Sequence, residues 1–235
     1  MKKFRLDNKT AFVMGGLGLI GREVTIAFAS AGARTIVLDL DTNKDSALDQ
    51  KMSVKDYDLI FRHFNCANMD LLEHNFYNLR VRFPNSLHYS SYLRTADREK
   101  SSFSEVTINS FRKNVDIHMN SYAWLARLAA EEMVKAGNGG SIVQLGSIYG
   151  LLGQDLTVYK GTDMQENMSY AAIKGGIINL TRQMASYYGQ HNIRVNTLCP
   201  GGLEGHVSGK SNTQSLVFVK HYSNKTPLKR LGLAE

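Results

Sequence analysis

Short apolar runs alternate along the chain with longer segments in which apolar residues recur at helical spacing. The runs are rich in β-branched residues and predict six strands, at 10–15, 34–41, 59–66, 85–92, 140–147 and 192–202. The longer segments predict helices over 21–33, 45–63, 69–82, 106–136 and 169–189. The second helix overlaps the third strand. Strands that alternate with helices of this length imply a doubly wound α/β fold, with a parallel sheet covered on both faces.

The composition indicates a globular protein with a substantial core, since 43% of the 235 residues are hydrophobic and 21% are charged. No apolar run approaches the roughly 18 residues that a membrane span needs. The chain carries no internal repeat, low-complexity tract or linker, so we interpret residues 1–235 as a single domain. A polar insertion at 151–168 is too long for a plain strand–helix turn.

The N-terminus imitates a secretion signal, with the basic MKKFR, the apolar AFVMGGLGLIG and the later ASAGA. Asp7 and Asn8 separate the charges from the apolar run, and the glycines of that run favour a bend over an inserting helix. We therefore interpret this segment as part of the mature structure, and we expect a cytoplasmic protein without a membrane partner.

The net charge of +7 favours an acidic partner, and the basic residues of 205–230 have no acidic residue among them. These are Lys210, Lys220, Lys225, Lys229 and Arg230. A basic flap over an anionic small molecule and a merely solvated face both fit this pattern. The chain lacks a nucleic-acid motif or stacking platform, so we expect no nucleic-acid partner. Cys66 and Cys199 lie far apart, and the seven histidines are scattered, so we predict neither a disulfide framework nor a metal site.

The glycine-rich GGLGLIG joins the first predicted strand to the first helix. Glycines in this context let the backbone approach a pyrophosphate, which then lies at the positive end of the helix. Asp39 ends the second strand, where its carboxylate can accept hydrogen bonds from a ribose diol and repel a phosphate on that ribose. We therefore predict NAD(H) in preference to NADP(H), although Arg22 and Arg34 are nearby cations.

Tyr170 and Lys174 are four residues apart in SYAAIKGG, which places both side chains on one face of a helix. The pair fits the rim of an ordinary amphipathic helix, and it also fits a proton-transfer device. The order of GGLGLIG, Asp39, GSIYG, SYAAIK and IRVNTLCPGG resembles that of the short-chain dehydrogenase/reductase family over nearly the whole chain.

The resemblance implies roles for three side chains. Tyr170 exchanges a proton with the substrate oxygen, while a hydride passes between substrate and nicotinamide. Lys174 lowers the phenol pKa and holds the nicotinamide ribose, and Ser147 orients the substrate oxygen. The cofactor-binding residues implied are Gly15, Gly18, Leu19, Ile20, Gly21, Asp39, Leu40, Ser90, Tyr170, Lys174, Pro200, Gly201 and Leu203.

The chain departs from the family pattern in four places. The glycine loop has the spacing of the family's longer, sugar-nucleotide branch. HYSS at 88–91 replaces the usual NNAG and can crowd the wall behind the cofactor. His118 stands where the family has an asparagine that holds a relay water; a substitute relay group and a buried structural histidine both fit, and Asn114 and Asn120 are candidates in another register. The usual final helix and strand are missing after KRLGLAE.

Ser147 and Tyr170 are farther apart than in typical members, so the insertion should form a lobe near the mouth of the site, with a substrate flap at 203–228. This lobe and KTPLKRLG resemble a bacterial subgroup linked to flagellin modification and nonulosonic-sugar synthesis. The resemblance implies an NAD-dependent oxidoreductase acting on a sugar or sugar phosphate. A 3-oxoacyl-carrier-protein-type reductase and a non-catalytic nucleotide-binding protein are the alternatives. The resemblance to the family also implies a homodimer or homotetramer formed through helices 106–136 and 169–189, although their apolar stripes fit an ordinary core equally well.

Overall fold

The computed structural model describes residues 4–40, 42, 57–82, 86–91, 101–205 and 214–234. Within these ranges, six parallel strands form one sheet in the order β3-β2-β1-β4-β5-β6. The strands are β1 (Thr10–Met14), β2 (Arg34–Asp39), β3 (Leu59–His63), β4 (Ser86–Ser91), β5 (Gly140–Leu145) and β6 (Ile193–Leu198). The strand order reverses at β1 and β4, as in doubly wound nucleotide-binding sheets.

Helices connect the strands on both faces of the sheet. They are α1 (Leu19–Ser30), α2 (Met69–Arg82), α3 (Ile108–Val115), α4 (Ser121–Ala136), α5 (Met168–Tyr188) and α6 (Leu216–Lys225). A π-helical turn, Asp116–Asn120, joins α3 to α4, and short 3₁₀ turns lie at Ile148–Gly150, Leu156–Tyr159 and Gly189–His191.

Alternate residues of β1 show why both faces of the sheet are apolar. Phe12 and Met14 join the main core cluster with residues of α2 and α4, whereas Val13 packs in a separate cluster with α1. Successive strand side chains point to opposite faces, so each face of a central parallel strand needs its own helical cover. The predicted doubly wound α/β fold is therefore confirmed.

Two predicted helices differ from the structure. Residues 59–63 form β3 and not the end of a helix over 45–63, because their backbone pairs with Thr35–Asp39 of β2. The part of that prediction at 45–56 lies outside the described residues. The helix predicted over 106–136 begins at Ile108, since the Thr107 hydroxyl caps it by accepting the Ser110 N–H at 3.2 Å, and the π turn interrupts it.

The insertion after β5 packs against α6. Val158, Phe218 and Tyr222 are buried in one apolar cluster, and the rings of Tyr159 and Phe218 are stacked with centroids 6.0 Å apart. Lys225 of α6 forms an ion pair with Asp155 at 3.1 Å. A stretch predicted only to be polar thus forms, with α6, a small second core outside the sheet.

Candidate active site

The predicted site residues gather at the carboxyl ends of β1, β5 and β6. Ser147 follows β5, Pro200 and Gly201 follow β6, and α5 carries Tyr170 and Lys174 back across this edge. In open parallel sheets this edge, beside the point where the strand order reverses, is where ligands bind.

The glycine loop brings the start of α1 against the end of β1. Gly15 has a positive φ of 68°, and its N–H bonds the Leu38 carbonyl at 2.7 Å. A Cβ at Gly21 would lie 2.0 Å from the Gly15 carbonyl oxygen, so this approach requires a glycine. The N-cap residue of α1 is Gly18, and within the described chain no side chain caps the helix. Its first N–H groups are thus available to an anion, and the loop fits a pyrophosphate.

Asp39 lies beside this loop. Its Oδ2 accepts the Leu17 N–H at 3.0 Å and its Oδ1 accepts the Leu40 N–H at 2.8 Å. A carboxylate has about four lone-pair positions, so two remain to accept further donors such as a ribose diol. Leu19 and Leu40 are both exposed at this end of the sheet, and Ile20 packs on the cluster that contains Val13.

The two cations near Asp39 in sequence are engaged elsewhere. Arg22 pairs with the adjacent Glu23 at 3.5 Å. Arg34 begins β2, at the end opposite Asp39, and pairs with Asp58 at 2.7 Å.

Lys174 is buried in the middle of the site. Its Nζ donates to the Leu145 carbonyl at 2.7 Å and lies 5.5 Å from the ring centre of Tyr122 and 5.6 Å from that of Tyr170. Burial lowers the pKa of this ammonium to about 8, against an opposing contribution from Cys199. A cation that is 95% buried and held beside a phenol is poised to stabilise a phenolate.

Tyr170 owes its position to a cap that the sequence prediction missed. The Asn167 side chain caps α5 by accepting the Tyr170 N–H at 2.8 Å, and the Gln154 side chain accepts the Asn167 N–H at 2.9 Å. The insertion therefore helps to place the first turn of α5. The signal was present in the sequence, because asparagine is a typical N-cap and Asn167 comes immediately before the helix.

Ser147 precedes a turn that packs against α5 at Lys174. The hydroxyl is buried and accepts the Tyr149 N–H at 3.2 Å, which caps the 3₁₀ turn Ile148–Gly150. A Cβ at Gly150 would meet the backbone of Lys174 at 2.6 Å, so this glycine allows the turn to press against α5. The turn also bonds the Pro200 carbonyl through the Ile148 N–H at 3.2 Å, which brings β5 and β6 exits together.

His118 occupies the π turn and is buried, as Asn114 is one turn earlier. The Asn114 side-chain Nδ2 has no hydrogen-bond partner among the described residues. Asn120 instead donates to Asp116 at 2.7 Å in an exposed contact, which directs it away from the interior. The buried Tyr122 ring, at the start of α4, lies 5.5 Å from the Lys174 Nζ.

The cofactor wall at 88–91 is described through its backbone. Ser90 of β4 pairs in register with Val13 of β1 and Val143 of β5, which places it at the strand-order reversal. The side chains of 86–91, on which a crowded wall depends, lie outside the described residues.

After β6, Gly202 and Leu203 are held by residues within and on either side of α6. The Gly202 N–H bonds the Tyr222 hydroxyl at 2.7 Å, and its carbonyl accepts the Gly232 N–H at 2.9 Å. The Leu203 carbonyl accepts the Gln214 side chain at 2.8 Å. Tyr222 and Gln214 were not among the predicted site residues, since no local pattern connects them to 202 and 203.

No group of three or more His, Cys, Asp or Glu side chains in the described ranges is arranged to hold a metal ion. Both cysteines are free, and burial raises the pKa of the Cys66 thiol to about 12. Of the helices in the described part of the chain, none is long and apolar enough to cross a membrane.

Comparison with known proteins agrees with this geometry. Flagellin modification protein A of Campylobacter coli is 28% identical over 92% of this chain and 83% of its own length. L-rhamnose-1-dehydrogenase of Scheffersomyces stipitis is 25% identical over 97% of this chain and 84% of its own length. The 7alpha-hydroxysteroid dehydrogenase of Escherichia coli is 28% identical over 97% of this chain and 83% of its own length.

Solved structures share the fold. A short-chain dehydrogenase from Leptospira borgpetersenii with bound NAD⁺ is 26% identical with a TM-score of 0.80, covering 99% of this chain and 83% of that one. A gluconate 5-dehydrogenase from Burkholderia cenocepacia, in complex with NADP and tartrate, has a TM-score of 0.82 at 19% identity, with 99% and 86% covered.

The family model for short chain dehydrogenase matches residues 9–216, which include the glycine loop, Ser147, Tyr170 and Lys174. The chain therefore belongs to the short-chain dehydrogenase/reductase family and is an NAD(P)-dependent oxidoreductase.

Proposed function

We propose that the protein transfers a hydride between NAD(H) and a hydroxyl or carbonyl group of an anionic sugar in bacterial glycan synthesis, of the nonulosonic-acid type. The observation that carries the chemical part is the buried Lys174 ammonium, which lies 5.6 Å from the Tyr170 ring centre at the carboxyl edge of the sheet, where the turn capped by Ser147 packs against the Lys174 backbone. The substrate class is supported by the insertion, by the basic residues of α6 and by the flagellin-modification and rhamnose relatives.

In the proposed mechanism, Tyr170 exchanges a proton with the substrate oxygen. The Lys174 ammonium is fixed by the Leu145 carbonyl at 2.7 Å and favours the ionised phenol across 5.6 Å. The buried Ser147 hydroxyl donates to the same substrate oxygen and orients it, and the oxygen is stabilised while negative charge develops there. The bound nicotinamide supplies or accepts the hydride.

The dinucleotide would be held along the β1–α1 turn. Gly15, Gly18, Leu19, Ile20 and Gly21 form this turn and the uncapped start of α1, which would bind the pyrophosphate. Ser90, Pro200, Gly201 and Leu203 would contact the nicotinamide half, and Lys174 would hold its ribose. His118 would serve the proton relay through a water, with the buried Asn114 one turn away.

The preference for NAD(H) rests on Asp39 and Leu40. The carboxylate is fixed by two backbone N–H groups and faces the position of the adenosine ribose, where a 2′-phosphate would meet a like charge. Arg22 pairs with Glu23 and Arg34 pairs with Asp58, so we assign neither arginine to the 2′-phosphate of NADP(H).

We further propose that residues 1–235 act as one domain in which the insertion at 151–168 and the flap at 203–228 border the substrate; residues 206–213 of this flap lie outside the described residues. Lys220 is exposed in the described part of the flap, whereas Lys225 is paired with Asp155. A screen of sugar phosphates and nucleotide sugars against neutral steroids tests the substrate class. Turnover of steroids with none of anionic sugars contradicts it.

One observation favours a second candidate, a reductase of acyl or other apolar carbonyl substrates. The segment that follows Ser147 exposes Leu151, Leu152 and Leu156, and α6 exposes Leu216, whose surface is 84% accessible. An apolar chain would cover these residues. Turnover of 3-oxoacyl thioesters with NADPH would assign this function in place of the first.

A homodimer or homotetramer would use the groove between α4 and α5. The groove is lined by Trp124, Arg127, Leu180, Met184 and Tyr187, and it exposes 42% of Trp124 and 58% of Tyr187. Large exposed rings on adjacent helices are typical of a covered surface. Light scattering of the purified chain tests this proposal, and a monomer at all concentrations contradicts it.

Tyr170→Phe tests the catalytic proposal against a non-catalytic nucleotide-binding role. The variant keeps the ring and loses the proton, so we expect kcat to fall by about 10²–10⁴-fold while NADH affinity is retained. Tyr187→Phe is the matched control, because Tyr187 lies on the same helix and is exposed. Unchanged turnover in Tyr170→Phe would contradict the role of Tyr170, and NADH binding without turnover in the wild type would leave only the binding role.

A further inference from the structure

The peptide unit at Gly202 is held by the chain segment that contains α6. Its N–H donates to the Tyr222 hydroxyl at 2.7 Å, and its carbonyl accepts the Gly232 N–H at 2.9 Å. A Cβ at Gly202 would lie 2.7 Å from the Tyr222 ring, so ring and backbone are in direct contact. Tyr222 therefore fixes the direction of the Gly202 N–H and the distance between this backbone and α6.

The Tyr222 side chain is in turn held by the insertion. It is 93% buried in a cluster with Val158 and Phe218, and its ring centre is 5.5 Å from that of Phe218. Phe218 stacks on Tyr159 of the insertion at 6.0 Å. Since α6 has its partners in the insertion, residues 155–159 determine where Tyr222 lies.

Tyr222 also reaches the turn that carries Ser147. Tyr149, two residues after Ser147, packs on the same cluster, and Gly201 has the Tyr222 hydroxyl 3.4 Å from its Cβ position. Burial raises the pKa of the Tyr149 phenol, and the neighbouring Tyr159 and Tyr222 raise it further.

We propose that Tyr222 is a positioning residue for the nicotinamide half of the site, and that the insertion fixes it there. The inference rests on the proposed function, because it takes Gly201 and Leu203 as backbone contacts of the nicotinamide. It adds that affinity for the nicotinamide end depends on residues 155–159, which themselves touch no cofactor.

The test compares two ligands that share the adenosine end. ADP-ribose lacks the nicotinamide, so a positioning role predicts that Tyr222→Phe weakens NADH by about three- to tenfold, the value of one hydrogen bond, and leaves ADP-ribose unchanged. Val158→Ala loosens the insertion and keeps the Tyr222 hydroxyl, and it should weaken NADH in the same selective way. Tyr77→Phe, at an exposed site on α2, is the matched control. Calorimetry on folded protein measures all affinities.

Each outcome decides between the alternatives. Equal weakening of NADH and ADP-ribose indicates a general structural role and overturns the inference, as does unchanged NADH affinity in Tyr222→Phe. A selective loss in Tyr222→Phe without one in Val158→Ala overturns the part assigned to the insertion. If the wild-type chain binds neither ligand, the proposed function itself fails, and that result is distinct because no variant is needed to see it.

Discussion

The two ends of the candidate site are built from different groups. At the β1–α1 turn the groups available to a ligand are backbone N–H groups beside glycine, whereas at the β5–α5 end they are the side chains of Ser147, Tyr170 and Lys174. Backbone groups do not titrate, so the backbone contacts of the first end do not depend on protonation. The second end depends on burial and proton occupancy, as the lowered pKa of Lys174 illustrates.

The largest effect is expected at the β1–α1 turn, where a close approach of backbone atoms requires glycine. Gly21→Ala places a methyl group 2.0 Å from the Gly15 carbonyl oxygen, so the loop must move away from its ligand position. We expect NADH affinity to fall by more than about 100-fold, since small misplacements of a binding group carry costs of this size. Calorimetry measures it.

Gly189→Ala is the control for this change, because a Cβ there meets nothing within 4 Å. Retained NADH affinity in folded Gly21→Ala would contradict the assignment of the glycine loop to the cofactor.

At the other end, Lys174→Met should lower kcat by about 100-fold through the loss of a preorganised cation, and it should also change the pH dependence of stability. The folded-state pKa of about 8 lies below the ordinary value of 10.5, so between these pH values the unfolded chain binds more protons. Stability attributable to Lys174 therefore rises with pH across this window, and the burial penalty is greatest below pH 8.

Urea unfolding of wild type and Lys174→Met from pH 7.5 to 10.5 measures this contribution. The wild type should gain roughly 3 kcal/mol relative to the variant across the window, at 1.36 kcal/mol for each pKa unit. Parallel stability curves for the two proteins would show that Lys174 is not protonated differently in the folded state.

The smallest effect is expected at Asp39, which borders the backbone end and carries a charge. Asp39→Asn keeps a similar shape and removes the negative charge, so we expect about a tenfold loss of NADH affinity, the scale of a charge-assisted hydrogen bond. NADPH affinity should be maintained or increased. Asp58→Asn, in an exposed pair with Arg34, is the control. An unchanged NADH/NADPH ratio would contradict the role of Asp39.

Local patterns were sufficient for the groups that act within one turn of the chain. The four-residue spacing of Tyr170 and Lys174 predicts neighbouring side chains, and the structure places Nζ 5.6 Å from the phenol ring centre. Gly21 was predicted from the loop pattern, and the 2.0 Å approach gives its physical reason.

Contacts between distant segments could not be predicted in this way. The packing of Val158 on Phe218 and the hydrogen bond from Gly202 to Tyr222 join parts of the chain with no shared period. At residues 59–63, where a predicted helix overlapped a predicted strand, pairing with β2 decides in favour of the strand.

The π turn between α3 and α4 has a consequence for changes in chain length. A π turn contains more residues than an α turn, so it offers a place where this helical segment can lose one residue and close as a continuous α-helix. Because the wide turn absorbs the extra residue locally, such a deletion keeps the two flanking helices in phase, whereas a deletion within a regular α-helix rotates everything beyond it by about 100°, the angle per residue.

Buried residues lie on both sides of the turn. Asn114 of α3 is buried, and Leu125 and Leu128 fix α4 in the interior. A one-residue deletion at 116–120 that closes the turn as an α-helix would therefore keep all three in the interior, whereas a deletion within α4 would turn its apolar face out of the core. The π turn is thus the position at which this helical segment can change its length without changing which side chains face the interior.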